Sequence, residues 1–264
     1  MNRGIIINQL REFNVSKAIN SISLEISRNI EETGKRGILL KIEERMESVI
    51  LAGIAVRALG PQNIRCIYFI KERKRRMNKD MERLLNFLKI PFVYIEIGSL
   101  ARDIVKYVTG YTSHDFYSII RIVEALILRR RADDEDLLLL GEITRSEWLL
   151  GIFDIIYAKS MDLLPLTHLY RTQLDKIFTG LRLQSYIRHF NENPEWRIFK
   201  NSLGVKEDLI IDSILYGLTH HKTDQEIYDE IKGSNINIDI SIIKRIRRLF
   251  EKVYYKRNSP LIFL

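Results

Sequence analysis

A single cysteine, Cys66, stands among 264 residues. That excludes an internal disulfide framework and fits a reducing cytoplasm. Cys66 lies in the apolar run from Ile64 to Ile70 and reads as a small buried hydrophobe. Long hydrophobic stretches are missing too. None reaches the roughly 18 residues that a membrane-spanning helix requires. Met1-Asn2-Arg3-Gly4 carries charge without a long apolar stretch behind it, so a cleaved secretion signal is not expected. The five histidines, His114, His168, His189, His220 and His221, lack metal-ligand spacing and have no second cysteine to join them. No G-x-S-x-G element or cysteine–histidine pairing points to a hydrolase.

What is present describes a globular chain. Hydrophobic residues make up 46% and charged residues 29%, too apolar for disorder. The length suits one large domain, or one domain with a helical appendage. The net charge is +8, with 42 basic against 34 acidic residues. Basic runs occur at Lys71 to Arg76 (interrupted by Glu72), Arg129 to Arg131 and Lys244 to Arg248. Aromatic residues are not interleaved with them, so a nucleic-acid partner is not expected. The balance matches a Lys/Glu/Arg/Ile-rich chain of the kind heat-adapted organisms make.

Apolar periodicity predicts a helix from Val15 to Glu32, a buried strand at Ile38–Leu40 and a helix from Ser48 to Leu59 that Gly60-Pro61 closes. A strand at Ile64–Ile70, a helix at Met77–Leu88 and a strand at Phe92–Ile97 follow. Next come a helix at Tyr117–Arg131, a strand at Leu137–Leu140 and a helix at Ser146–Phe153. Strands alternating with helices at these spacings predict an α/β fold, a Rossmann-like parallel sheet with helices on both faces. From Tyr170 onward the pattern is helical, with elements at Asp208–Leu218, after the Thr223-x-x-Glu226 capping box, and at Ser241–Tyr254. Residues Arg188 to Leu203 are polar with a proline in the middle and read as an irregular loop. The expected organisation is one domain over residues 1–264: an α/β core over 16–185, the loop region over 186–204 and a helical region over 205–264.

Four segments, in order, resemble the ammonia-dependent NAD⁺ synthetases of the N-type ATP pyrophosphatase superfamily. They are Ile54-Ala55-Val56-Arg57-Ala58-Leu59-Gly60; Leu139-Leu140-Gly141 through Ser146-Glu147-Trp148-Leu149-Leu150-Gly151; Asp162-Leu163-Leu164-Pro165-Leu166 with Leu169-Tyr170-Arg171-Thr172-Gln173-Leu174; and Arg247-Arg248 through Lys256-Arg257 to Pro260. The resemblance implies a homodimer, with ATP and Mg²⁺ as cofactors and deamido-NAD⁺ or an adenine nucleotide as ligand. In such enzymes ATP adenylates the substrate carboxylate, and ammonia then displaces AMP.

The family's phosphate loop, S-G-G-x-D-S, needs glycines so that bare backbone N–H groups can meet pyrophosphate at a helix N-terminus. Counting back from Gly60 aligns it with Glu43-Glu44-Arg45-Met46-Glu47-Ser48. Both glycines are gone. Two carboxylates occupy the loop, and each close like-charge pair costs roughly 1–4 kcal/mol at surface-like dielectrics. Glu43, Glu44 and Arg45 are expected to fill the pocket, pairing with Lys71, Arg73 or Arg171. The resemblance makes Glu47 and Glu147 the metal-binding pair; alternatively, Glu147 is a surface residue in the first turn of a helix. It makes Asp162, Arg171 and Lys256 nucleotide- or substrate-binding residues. Glu142 stands where the family has a nucleotide-contacting threonine, and Ile155 where it has a lysine. Two readings follow, a family member without catalysis and an active synthetase with an unusual loop; a nucleic-acid-binding derivative is the third.

Overall fold

The structure, a computed structural model, describes residues 5–71, 77–107, 113–234 and 236–258. Two helices open the chain, α1 (Ile5–Arg11) and α2 (Val15–Thr33). Then come β1 (Ile38–Lys41), α3 (Met46–Leu59), β2 (Ile64–Ile70), α4 (Lys79–Leu88), β3 (Phe92–Glu96), α5 (Gly98–Val105), α6 (Ser113–Glu135) and β4 (Leu138–Leu140). The four strands form one parallel sheet in the order β3-β2-β1-β4, with Ile38 opposite both Ile64 and Leu138. This is the expected α/β architecture.

Strand alternation assigns each side chain to a layer. Ile38, Leu40, Ile64 and Cys66 join α2, α3 and α4 in one core, while Leu39, Ile67, Phe69 and Leu139 join α5 and α6 in the other. Cys66 is buried, and burial pushes its thiol up to about 12. The chain must pass very close to its neighbour just before β1. A Cβ on Gly37 would lie 2.1 Å from the Asn63 carbonyl oxygen, so no larger residue fits there.

The remainder is helical: α7 (Arg145–Leu150), α8 (Ile155–Ser160), α9 (Leu174–Gly180), α10 (Pro194–Leu203), α11 (Asp208–Thr219), α12 (Asp224–Lys232), α13 (Ile240–Lys252) and α14 (Tyr254–Arg257). Helices α10 to α13 close over α1 in a third apolar cluster around Trp196, Ile211, Ile214 and Ile243. Among the described residues no helix is long and apolar enough to cross a membrane.

Several boundaries differ from expectation. The stretch 188–203 is not irregular throughout, because its second half is α10. Pro194 sits at the first helical position, where its missing N–H costs nothing, and the Asn193 side chain caps the Glu195 N–H at 3.1 Å. The residue that argued against a helix therefore opens one. Helix α4 starts two residues later than predicted, after the Asn78 cap. Helix α6 extends further at both ends, and α7 stops at Gly151, whose φ of 65° lies in the left-handed region.

Candidate active site

The sheet order puts β1 beside β4, with their onward connections leaving in different directions. This is the crevice where open α/β sheets bind ligands, at the carboxyl ends of the strands. Lys41 is the last residue of β1, Lys71 directly follows β2, and Glu142 lies two residues beyond β4. Helix α3 then carries Glu47 in its first turn, with Arg45 at its N-cap.

These residues form one buried ion-pair network. The Lys41 Nζ lies 3.2 Å from Glu142, 3.3 Å from Glu43 and 3.4 Å from Glu124. Lys71 bridges Glu43 at 2.5 Å and Glu124 at 3.0 Å. The Arg45 guanidinium lies 3.3 Å from both Glu47 and Glu142 and 3.5 Å from Glu147. Arg171 reaches Glu47 at 2.5 Å, Glu147 at 3.2 Å and Asp208 at 3.5 Å, and lies over the Trp196 ring. The Ser48 hydroxyl donates to Glu142 and accepts from the Glu43 N–H.

Electrostatics follow from that packing. Burial alone would lower the Lys41 pKa, but Glu124, Glu43 and Glu142 outweigh it and hold the ammonium well above its usual range. Burial would raise Glu47, yet Arg45 and Arg171 bring it down to about 2. Glu43 is likewise held well below the usual carboxylate range against burial, by Lys41 and Lys71. Lys41, Glu43 and Glu47 are therefore charged at neutral pH, each held so by its oppositely charged neighbours.

The predicted site residues separate in space. Glu43, Arg45, Glu47, Ser48, Glu147 and Arg171 converge. Glu44 does not enter the pocket; its carboxylate accepts from the Tyr68 hydroxyl at 2.9 Å and the Asn78 N–H at 3.2 Å. Met46 begins α3 and packs against the core. The surface alternative for Glu147 is corrected, since only 2% of the residue is exposed. It closes the α7 capping box with Thr144 and accepts from Asn193 at 2.7 Å. Asp162 binds the Leu139 N–H at 2.7 Å and Arg129 at 2.8 Å. Lys256 donates to the Gly151 carbonyl at 2.6 Å. Arg73 lies outside the described residues.

Sequence reasoning missed Lys41, Glu124 and Asn193. Lys41 ends an apolar strand, and Glu124 interrupts the apolar Ile122-Val123 and Ala125-Leu126 steps of α6. A lone charge inside an apolar run was the available signal for both. Asp212 was missed as well. It is fully buried, accepts from the Ser146 hydroxyl at 2.6 Å and the Thr172 N–H at 2.8 Å, and burial raises its pKa to about 6.

One cavity adjoins the network, and a second borders that one through Ile152, Phe153 and Asp154. The first, lined by Lys41, Arg45, Glu142, Glu147 and Asn193 among others, holds about 30 Å³, the share of about one water molecule. The other holds about 580 Å³ and is mostly apolar, with Phe153, Ile155, Ile198, Asp154, Glu195 and Lys256 in its walls. A divalent cation does not fit the network as it stands. Glu47, Glu142 and Glu147 already face Arg45, and among the described residues no three acidic, histidine or cysteine side chains are placed to hold a metal. The phosphate tail of ATP does not fit the smaller cavity either.

A profile of the NAD synthase family matches residues 18–260. The chain is 26% identical over 261 residues to an NH₃-dependent NAD⁺ synthetase of Thermococcus sibiricus, covering 96% of this chain and 98% of that one. It is 27% identical over 249 residues to a protein of the same name from Saccharolobus solfataricus, covering 92% and 87%. Among solved structures, an NH₃-dependent NAD synthetase of Campylobacter jejuni superposes with a TM-score of 0.77 at 19% identity, covering 96% of this chain and all of that one. The NMN synthetase of Francisella tularensis superposes at 0.75 with 16% identity, covering 96% and 99%. The last two likenesses establish the fold.

Proposed function

The chain belongs to the NAD synthase family, and from that premise we propose that it is a member without ATP-dependent amide synthesis. It acts through a retained ligand site or through contacts with a second copy or another partner. The observation that carries this reading is the lodging of Arg45 among Glu47, Glu142 and Glu147. A phosphate cradle works by offering unobstructed backbone N–H groups and positive potential to an anion. Here the same volume holds side chains, and the Glu43 carboxylate is fixed by Lys41 and Lys71. A polyphosphate entering it would have to displace those pairs and face four buried glutamates and the half-buried Glu43. The ligand site on this reading is the cavity of about 580 Å³, whose polar groups include Asp154 and Lys256. Ile155 and Ile198 line it as well, which suits a ligand less anionic than a dinucleotide.

The domain is proposed to be one unit over residues 1–264, in the cytoplasm, and homodimeric through α2, α6 and α7. Calorimetric titration with ATP–Mg²⁺ and, separately, with deamido-NAD⁺ tests the reading. It predicts no saturable heat from ATP–Mg²⁺, and micromolar ATP binding would overturn it.

A second reading is favoured by the comparisons. The relatives described above are named as NH₃-dependent synthetases, and nothing in those likenesses speaks for a loss of catalysis. On that reading the chain joins ammonia to deamido-NAD⁺ at the expense of ATP. Arg45 would swing out of the network when nucleotide binds, leaving Glu47 and Glu147 for Mg²⁺ and Arg171 and Lys256 for nucleotide or substrate. Asp162 would have to leave Arg129 and the Leu139 N–H to reach substrate.

A further inference from the structure

Three carboxylates, Glu47, Glu142 and Glu147, approach one another from the start of α3, the segment after β4 and the start of α7. All three residues are buried. Taken alone, three such groups repel strongly and need a cation between them. Oxygen-rich clusters of this kind ordinarily meet that need with a hard divalent ion. In this chain an arginine meets it. One Oε1 from each carboxylate lies 3.3–3.5 Å from the Arg45 guanidinium. Arg45 comes from the N-cap of α3, and its side chain makes no capping hydrogen bond there. Its Nε is buried without a hydrogen-bond partner, so the side chain is placed for the carboxylates and not for its own helix.

We propose that Arg45 is a built-in substitute for a divalent cation, and that cation binding and the Arg45 side chain exclude one another at Glu47, Glu142 and Glu147. The inference rests on the reading that the ATP site is closed, and it gives that closure a single removable cause. A tethered cation is always present at high local concentration, so millimolar free Mg²⁺ cannot compete with it. Removing the side chain leaves Arg171 bridging Glu47 and Glu147, Asn193 and Thr144 donating to Glu147, and Lys41 and Ser48 beside Glu142. Two cationic side chains then face three buried carboxylates, and an external cation that draws the three together would supply the missing charge.

The test compares Mn²⁺ binding to the full-length wild type and to Arg45→Ala, by calorimetry and by the rise of melting temperature with Mn²⁺ concentration. Wild type is expected to show neither signal. The variant is expected to melt lower without Mn²⁺ and to bind one Mn²⁺ saturably, with its melting temperature climbing as Mn²⁺ is added. Arg45→Ala/Glu142→Gln should lose that response. If Arg45→Ala is recovered unfolded, it is refolded with and without Mn²⁺. Refolding that depends on Mn²⁺ supports the proposal, and equal failure in both overturns it. Saturable Mn²⁺ binding by wild type, or none by a folded variant, overturns it too. Those failures leave the closed-site reading standing, because that reading is judged by ATP binding and NAD⁺ formation in wild type.

Discussion

Replacing Lys41 with methionine shortens the side chain by one atom and removes one buried charge. Lys41 is the centre of half the network, with three carboxylates within 3.4 Å of its Nζ. At an effective dielectric of 20, each such pair is worth about 5 kcal/mol before desolvation is subtracted. Breaking a buried pair by removing one partner costs about 3–5 kcal/mol, because a buried charge is left behind. The structure places Lys41→Met near the lower end of that range. Glu124 keeps Lys71 at 3.0 Å, Glu43 keeps Lys71 and Arg45, and Glu142 keeps Arg45 and Ser48. We expect a loss of about 3 kcal/mol, a fall in melting temperature of roughly 5–10 °C in a chain of this size. Urea denaturation at pH 7, followed by circular dichroism, measures the free energy. Glu124→Gln added to Lys41→Met should recover part of the loss, since Glu124 is fully buried and its charge is then no longer unmatched. A Lys41→Met protein within about 1 kcal/mol of wild type, or more stable, would refute the reasoning. The network would then be no better than an apolar filling of the same volume.

Acid should act on this fold in two opposite ways. Glu47 is held at about 2, so its stabilising contribution is present above the ordinary carboxylate range and is lost as pH falls toward 2. Asp212 is raised to about 6 by burial, so the native state holds its proton more tightly than the unfolded state does. Its contribution is present below about pH 4 and lost as pH rises through 6, a change of about 3 kcal/mol. The stability gap between wild type and Asp212→Asn should therefore narrow or reverse between pH 4.5 and 7, and a constant gap in denaturation midpoints would contradict the assignment. Leu24 on α2 and Leu126 on α6 are 71% and 69% exposed, as expected of residues that a second copy covers. Sedimentation at micromolar concentration should show a species near twice 31.2 kDa, and Leu24→Glu should shift it toward monomer. A wild type that sediments only as monomer removes the dimer from the account.

The sheet was legible in the sequence because each strand is a short apolar run bounded by glycine, proline or charge, and α4 between two of them keeps a 3.6-residue stripe. Helix α3 was read from its apolar run and its Gly60-Pro61 stop, and α5 was not read at all. The position of the connection between β1 and α3 was legible too, by counting back from Gly60 along the helix that it closes. What the loop side chains do was only partly legible. Glu43 and Arg45 enter the network, but Glu44 turns back to Tyr68 and Asn78, and which way each loop side chain turns depends on tertiary partners that composition does not reveal. Lys41 and Glu124 are 83 residues apart in sequence. Each alone is a charge in an apolar run with no partner named by the sequence, and only the packing of α6 against β1 brings them together. Helix α10 was obscured by Pro194, which disfavours a helix interior and favours a helix start.

The central claim is that a synthetase fold persists here with its nucleotide site closed by its own side chains. Incubating the purified wild-type protein with ATP, Mg²⁺, deamido-NAD⁺ and ammonia, alongside a synthetase of known activity, tests it most directly. The account predicts no NAD⁺ above the enzyme-free control while the reference enzyme turns over. Protein-dependent NAD⁺ formation, with AMP and pyrophosphate released in equal amounts, would contradict it.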